Sequence, residues 1–401
     1  MSLLSGKKIL LGISGGIAAY KSPLIVRLLK SQGALVRVVM TPSAKDFVTP
    51  LTLSTISDHP VFSNFTEQLY ENPVWNDHVS IAKWADLFLI APATSNTLSA
   101  MVNAKCNNLL IATYLSCTCP VYIAPAMDLD MYAHPANQKN IKELDRIGKK
   151  VLPVGEGFLA SGFHGKGRML EPEEIIHFIK EDIKLGLPLH GKKVLITAGP
   201  TYEPIDPVRF IGNHSSGKMG FALAEEALQL GADVTLISGP TVLEASPDID
   251  RYNVMTAQEM YTLTMEHFPR VDIAIAAAAV ADFKPRSVGK QKIKKEVDIQ
   301  NIELDNTQDI LAQMGKLKQK QFLVGFALET EDEKANAIKK IKSKKLDAIV
   351  LNSLNDFGAG FSGDSNKVTY IDKNENIIPF ELKSKTLVAK DIFFQILIQN
   401  A

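Results

Sequence analysis

One pattern occurs twice along this chain and dictates most of what it can fold into. Gly6-Lys7-Lys8-Ile9-Leu10-Leu11 returns as Gly191-Lys192-Lys193-Val194-Leu195-Ile196, each an apolar run ending in a glycine-containing turn. Helical stretches follow, Ala18 to Ser31 and Gly220 to Leu230, closed by Gly33-Ala34 and Gly231-Ala232, where a glycine helix stop is expected. New β-rich runs come next, Val36 to Met40 and Val234 to Ile237, and then a third pair, Ala85 to Ala91 and Val271 to Ala276. Continuous apolar strands alternating with helices indicate parallel sheets covered on both faces, because a strand with one wet face would alternate polar and apolar residues. The expected fold class is therefore α/β, with two doubly wound, Rossmann-like domains. Ligands of such sheets bind beyond the carboxyl ends of the strands. The repeat itself reports fold and not function.

A chain of 401 residues also exceeds what one hydrophobic core usually organises. The segment Lys184-Leu185-Gly186-Leu187-Pro188-Leu189-His190 reads as a linker, giving expected domains of 1–190 and 191–401. Lysine plus arginine and aspartate plus glutamate both total 44, so no global field recruits nucleic acid or an anionic membrane. The three cysteines, Cys106, Cys117 and Cys119, make a poor disulfide framework and lack partners at zinc spacing. No signal-peptide pattern precedes the first strand, and no apolar run reaches the ~20 residues of a membrane span. A reducing cytoplasm is the expected setting.

In the first half, the turn after the first strand reads Gly12-Ile13-Ser14-Gly15-Gly16-Ile17, which is not the GxGxxG fingerprint. Its small residues would let backbone amides approach a phosphate at a helix start, although a tight turn without a ligand has the same composition. Thr41-Pro42-Ser43 follows the second strand, and Ala91-Pro92-Ala93-Thr94-Ser95-Asn96-Thr97 follows the third, so hydroxyls collect at one sheet edge. His78 sits in a polar Asn76-Asp77-His78 segment, and Ala124-Pro125-Ala126-Met127-Asp128 follows another apolar run.

In this order, these segments resemble the flavin-binding cysteine decarboxylases, specifically phosphopantothenoylcysteine decarboxylase, from about Lys7 to Leu170. The resemblance implies a flavodoxin-like domain whose Ser14, Gly15, Thr41, Thr94 and Thr97 hold FMN. It implies that His78 is catalytic, that Pro125 to Tyr132 bind the substrate carboxylate, and that a flap from Leu159 to Met169 covers the substrate. The chemistry requires such a cofactor: loss of carbon dioxide from a cysteine carboxylate leaves an unstabilised carbanion, and oxidation of the thiol to a thioaldehyde supplies an electron sink. Two positions depart from the family pattern. Asp128 replaces an asparagine, and an ionised aspartate repels the carboxylate that an amide would bind. Ser161 replaces the flap cysteine that returns a proton, and a hydroxyl is a far weaker acid than a thiol.

In the second half, Lys290-Gln291-Lys292-Ile293-Lys294-Lys295 and Lys339-Lys340-Ile341-Lys342-Ser343-Lys344-Lys345 form two local cationic runs, with Lys340 and Lys344 on one helix face. No P-loop motif occurs. Gly199-Pro200-Thr201-Tyr202-Glu203-Pro204-Ile205-Asp206-Pro207-Val208-Arg209 leads to Asn213-His214-Ser215-Ser216-Gly217-Lys218-Met219-Gly220, and Ala276 to Asp282 ends a buried strand on a carboxylate.

These motifs resemble phosphopantothenate–cysteine ligase over about Gly191 to Ile396. The resemblance implies that Asn213 contacts the acyl intermediate and that Lys292 activates acyl transfer. It implies a nucleotide held by Ala276, Ala277, Ala278, Asp282, Lys292, Asp309, Ile310, Phe326, Lys340 and Lys344. Expected ligands are phosphopantothenate, cysteine, CTP and Mg2+, the metal ligands being unknown. Relatives form trimers through the flavin domain and dimers through the ligase domain, so a homo-oligomer is expected. The competing expectations are a ligase whose flavin domain is non-catalytic or releases an enethiol, a flavin prenyltransferase or peptidyl-cysteine decarboxylase, and an NAD-binding reductase. The last lacks its glycine fingerprint. A ligase whose product is the decarboxylase substrate argues against the prenyltransferase and the peptidyl enzyme.

Overall fold

Neighbouring residues on the central strands point into different cores, as a sheet covered on both faces requires. The structure, a computed structural model, describes residues 2–69, 72–293, 301–329, 332–353 and 363–400. The chain divides into two compact units, Met1–Ile183 and Lys184–Ala401.

The first unit carries a sheet of β1 (Lys8–Ile13), β2 (Leu35–Met40), β3 (Val61–Phe62), β4 (Leu87–Ala93), β5 (Val121–Pro125) and β6 (Lys150–Val151). The spatial order is β3-β2-β1-β4-β5-β6, with every neighbouring pair parallel. β3 is only a two-residue edge strand. Without it the order is the flavodoxin arrangement; with it, the dinucleotide-fold arrangement. Ile9, Leu11, Val36, Val38 and Leu89 enter one core, with Ile25, Val26 and Leu29 of helix Ser22–Ser31. Leu10, Val39, Phe88 and Ile90 enter the other, with Leu98 and Met101 of helix Ser95–Val102. The helix expected from Ala18 is a 3-10 turn over Ile17–Lys21 before the α-helix begins at Ser22. Pro23 sets that boundary, since its ring fixes φ and supplies no N–H, and both are tolerated only in a helix's first turn.

The second unit repeats the plan with β7 (Lys193–Ala198), β8 (Asp233–Ser238), β9 (Asp250–Asn253), β10 (Ile273–Ala276), β11 (Phe322–Glu329) and β12 (Ala348–Ser353), followed by β13 (Val368–Asp372) and β14 (Ile377–Pro379). The order is β9-β8-β7-β10-β11-β12-β13-β14, and only the pairings that involve β13 and β14 are antiparallel. Val194, Ile196, Leu236 and Ile275 face one core, and Leu195, Ile237, Ala274 and Leu323 the other. Helix Lys218–Gln229 lies so close to β7 that a Cβ on Gly220 would be 2.4 Å from the Ala198 Cβ. Both sheets thus bury their faces and leave the carboxyl edge for polar chemistry, where strand order reverses between β1 and β4 and between β7 and β10.

Candidate active sites

A cavity of about 670 Å³ opens at the reversal point of the first sheet, lined by the loops after β1, β4 and β5. Its walls are close-set backbone. A Cβ on Gly15 would lie 2.4 Å from Ser43 Oγ and 2.8 Å from the Ser43 carbonyl carbon, and one on Gly16 would lie 3.1 Å from Thr94 Cγ2. Ser14 is turned inward: its hydroxyl donates to the Pro92 carbonyl at 2.7 Å and accepts the Thr94 N–H at 3.0 Å, tying the β1 turn to the end of β4. Thr41 and Thr97 are buried behind the wall, their hydroxyls 3.2 Å from Ser43 Oγ and 3.3 Å from Thr94 Oγ1. Of the expected cofactor residues, Gly15 and Thr94 line the cavity, while Ser14, Thr41 and Thr97 support the loops that do.

Asp128 lines the same cavity, and its carboxylate accepts the Leu129 N–H at 2.6 Å at the start of helix Leu129–Ala133. Two cations join it there, Lys21 and Arg168. Lys21 is buried and donates to the Met169 carbonyl at 3.1 Å and to Glu171 Oε1 at 2.9 Å, while Arg168 reaches the same oxygen at 2.7 Å. The Lys21 bond is the main influence holding the Glu171 carboxyl below its ordinary pKa, against some burial. Lys21 is a site residue that sequence reasoning missed. The expected flap is a hairpin of Gly155–Phe158 and His164–Arg168, anchored where the Met127 N–H donates to the Gly167 carbonyl at 3.0 Å. Leu159 and Ala160 line the cavity, whereas Ser161 is exposed at the hairpin tip and does not. His78 opens helix His78–Trp84, with Asp77 as its cap, and is not among the residues lining this cavity. Its ring stands edge-on to Phe65 and Trp75 at 6.4 and 6.5 Å, and its buried Nδ1 has no hydrogen-bond partner among the described residues.

A second cavity, about 540 Å³, lies at the reversal point of the other sheet. The start of helix Lys218–Gln229 forms one wall, and Ala277, Ala278 and Asp282 form another. Asn213 lines it and donates from Nδ2 to the carbonyls of Val280 at 2.9 Å and Ala279 at 3.3 Å. Thr197 and Thr201 hold the same loop from behind through the Ala278 and Ala281 N–H groups, at 3.4 and 3.0 Å. Phe326 lines the cavity from β11, and Lys340 enters it while paired with Glu329 at 2.5 Å. Ala276 ends β10 inside the sheet.

Other expected nucleotide residues stand back from this lining. Lys344 pairs with Asp309 at 2.8 Å, and Asp309 caps helix Ile310–Leu317 by accepting the Ala312 N–H. Burial is the largest influence on Asp309 and raises its pKa, but the Lys344 and Ala312 hydrogen bonds and the Lys344 and Lys340 charges outweigh it, so the net shift is downward. Ile310 packs its side chain into the core, leaving only its backbone for a ligand. Lys292 is exposed and outside the lining, and Lys294 and Lys295 lie outside the described residues. Sequence reasoning also missed Asn352, whose buried Oδ1 has no partner among the described residues, and Lys385, whose pKa is lowered first by burial and then by the Lys218 charge. Among the described residues no group of three His, Cys, Asp or Glu side chains is placed to hold a metal, and no helix is long and apolar enough to cross a membrane.

Two α/β units, each with a cavity at its own reversal point, define the class. Residues 2–184 match the Flavoprotein family, and residues 189–399 match the DNA/pantothenate metabolism flavoprotein C-terminal domain. The chain is 52% identical over 357 residues to a cysteine/cysteine sulfinic acid decarboxylase of an unknown prokaryotic organism, covering 87% of this chain and 99% of that protein. It is 44% identical over 400 residues to the coenzyme A biosynthesis bifunctional protein CoaBC of Vibrio vulnificus, covering 99% and 98%. A solved C-terminal domain of a CoaBC protein is 42% identical, with a TM-score of 0.46, covering 53% of this chain and 97% of that domain. The chain belongs to the CoaBC family of bifunctional proteins of coenzyme A biosynthesis.

Proposed function

We propose that the second unit joins 4'-phosphopantothenate to cysteine at the expense of CTP, and that the first unit, with FMN bound, decarboxylates the resulting 4'-phosphopantothenoylcysteine to 4'-phosphopantetheine. The observation that carries this reading is the pair of cavities, each at the reversal point of its own sheet and each in a unit that matches its own family.

The first cavity suits a flat, phosphorylated cofactor, because Gly15 and Gly16 let bare backbone pack directly on Ser43 and Thr94 and so form a wall that a ligand can approach closely. Gly15, Gly16 and Thr94 would hold FMN, with Ser14, Thr41 and Thr97 keeping those loops in place. Bound FMN supplies the two-electron oxidation that gives the departing carboxylate an electron sink. Lys21 and Arg168, which share Glu171 as a partner, also line the cavity beside Asp128 and bring positive charge to where the substrate carboxylate would enter. His78 is the acid/base or orienting group. It sits apart from the cavity lined by its own chain, a placement that fits a trimer in which a neighbouring copy completes the site.

In the second cavity, Ala277, Ala278, Asp282 and Phe326 would seat the nucleotide, with Lys340 and Lys344 on its triphosphate and Mg2+ arriving with that triphosphate. The phosphopantothenate carboxylate attacks the α-phosphorus and pyrophosphate leaves. The cysteine amine then displaces the nucleotide monophosphate. Lys292 and Asn213 stabilise charge on the oxygens of that exchange.

The relative named as a cysteine decarboxylase favours a second reading, in which the first unit takes free cysteine. Product analysis separates the two. Purified protein given phosphopantothenate, cysteine and CTP should release carbon dioxide and phosphopantetheine. Cysteamine formed without CTP would support the second reading, and accumulation of phosphopantothenoylcysteine or an enethiol would refute the first. His78→Asn should lower decarboxylation by about 10²-fold or more and spare ligation, while Lys292→Gln should do the reverse.

A further inference from the structure

Cys117 and Cys119 belong to neither cavity. They lie in the loop from helix Leu109–Leu115 into β5, at the amino edge of the sheet and therefore opposite the flavin-side cavity. Both are half-buried, and their Sγ atoms are 3.1 Å apart. We propose that this pair is a thiol–disulfide exchange site for low-molecular-weight disulfides, with Cys117 as the attacking thiol and Cys119 as the resolving thiol.

Position and asymmetry support the two roles. The loop already holds the sulfurs in contact, so ring closure asks for no long-range rearrangement, and the Cys117 N–H is fixed on the Tyr114 carbonyl at 3.2 Å. The Cys119 thiol hydrogen bond is the largest influence on Cys117 and lowers its pKa to about 7; burial opposes it, and the Lys149 charge adds to it. Lys149 is held nearby, its Nζ 5.5 Å from the centre of the Tyr114 ring. The same bond, burial, and the charges of Cys117 and Asp86 push Cys119 strongly up. A thiol whose pKa lies near ambient pH is the most effective attacker of a disulfide, so reactivity falls on Cys117.

The exchange balances without a metal or the flavin. The Cys117 thiolate attacks one sulfur of R–S–S–R, forming Cys117–S–S–R and expelling RS⁻. Cys119 then loses its proton to solvent and attacks the Cys117 sulfur, closing the Cys117–Cys119 disulfide and expelling a second RS⁻. Two protein thiols are oxidised, and one external disulfide is reduced to two thiols.

The test uses full-length, FMN-loaded protein and glutathione disulfide at neutral pH, with acid quenching, alkylation and peptide mass analysis. Cys106, which is exposed, serves as the internal comparison. In the unmutated protein Cys117 should react about 10-fold faster than Cys106, because the Cys119 hydrogen bond and the Lys149 charge favour its thiolate. The peptide should end two hydrogens lighter without bound glutathione, whereas Cys106 should keep its glutathione. Cys119→Ser should stop at a stable mixed disulfide on Cys117, and Cys117→Ser should leave Cys119 unmodified, with retained flavin absorbance confirming that both variants are folded. Equal rates at Cys117 and Cys106, or a persistent mixed disulfide at Cys117 in the unmutated protein, would overturn the proposal. The rate comparison stands without either variant.

Discussion

Asp206 and Ile293 are 87 positions apart, yet the Ile293 N–H donates to the Asp206 carboxylate at 3.2 Å. Arg209 closes the arrangement by donating to Asp206 through Nε at 3.0 Å and to the Ile293 carbonyl at 2.9 Å. The Gly289 N–H donates to the Ile205 carbonyl at 2.9 Å just upstream. The Asp-Pro-Val-Arg run therefore grips the backbone on both sides of Lys292, and its conspicuous charges hold a loop.

Asp206→Asn should therefore act on ligation through Lys292. A loosened loop misplaces the ammonium, and a misplacement of about 1 Å is enough to lower the rate by ~10²-fold. Decarboxylation of supplied phosphopantothenoylcysteine should stay unchanged. The Arg209 hydrogen bond is the first cause of a strongly depressed Asp206 pKa, reinforced by the Val208, Ile293 and Arg209 N–H groups. A depressed carboxyl contributes stability above its unfolded value of about 3.9 and loses it only as pH falls toward the folded value. Chemical denaturation at stepped pH should show the wild type more stable than Asp206→Asn at neutral pH, with the gap narrowing below about pH 4. A gap that widens as pH falls would contradict this assignment.

Gly15→Ala should weaken cofactor binding. The added methyl would meet Ser43, including its carbonyl carbon at 2.8 Å, so the wall must move and not merely a rotamer. The purified variant should show less flavin absorbance than the wild type, and titration with FMN should give a Kd at least about 10-fold higher if seating costs about 1.4 kcal/mol or more. Ligation should persist.

The fold was legible in the sequence because double-sided burial leaves no freedom of composition: Ile9-Leu10-Leu11 and Val194-Leu195-Ile196 must be apolar at every step. The reversal points followed from the same repeat. What local sequence did not reveal was direction and distant contact. Ser14 reads the same whether its hydroxyl faces a ligand or Pro92, and only the approach of β4 decides it. Nothing near Lys21 in the sequence marks it, because its partner Glu171 is 150 positions away. The resemblance sets Ile310 beside the nucleotide, while its place in helix Ile310–Leu317 turns its side chain into the core.

Asp128→Asn tests the electrostatics of the decarboxylase cavity. An asparagine Oδ1 can still accept the Leu129 N–H, so the start of helix Leu129–Ala133 is kept. Removing the negative charge leaves Lys21 and Arg168 facing the substrate carboxylate with less competition. KM for phosphopantothenoylcysteine should fall, by about threefold to tenfold for a gain of roughly 0.7–1.4 kcal/mol. A rise in KM at unchanged flavin content would instead assign the Asp128 carboxylate a direct binding role.

Lys340 and Lys344 reach their carboxylate partners, Glu329 and Asp309, from one helix, Glu333–Lys344. A triphosphate in the neighbouring cavity would compete with those carboxylates for the same ammonium groups. Lys340→Gln removes one cation from the cavity lining and leaves the Glu329 charge nearby without its partner, so both effects oppose nucleotide. KM for CTP should rise by 10-fold to 100-fold, on the order of 1.4–2.7 kcal/mol. Glu329→Gln frees Lys340 and should move KM the other way by a smaller factor, because the pair is only partly buried. Raising ionic strength should shrink both effects, since screening acts on partly exposed charges. If Lys340→Gln lowers kcat and leaves KM for CTP unchanged, Lys340 acts on the transferring group and does not anchor the nucleotide.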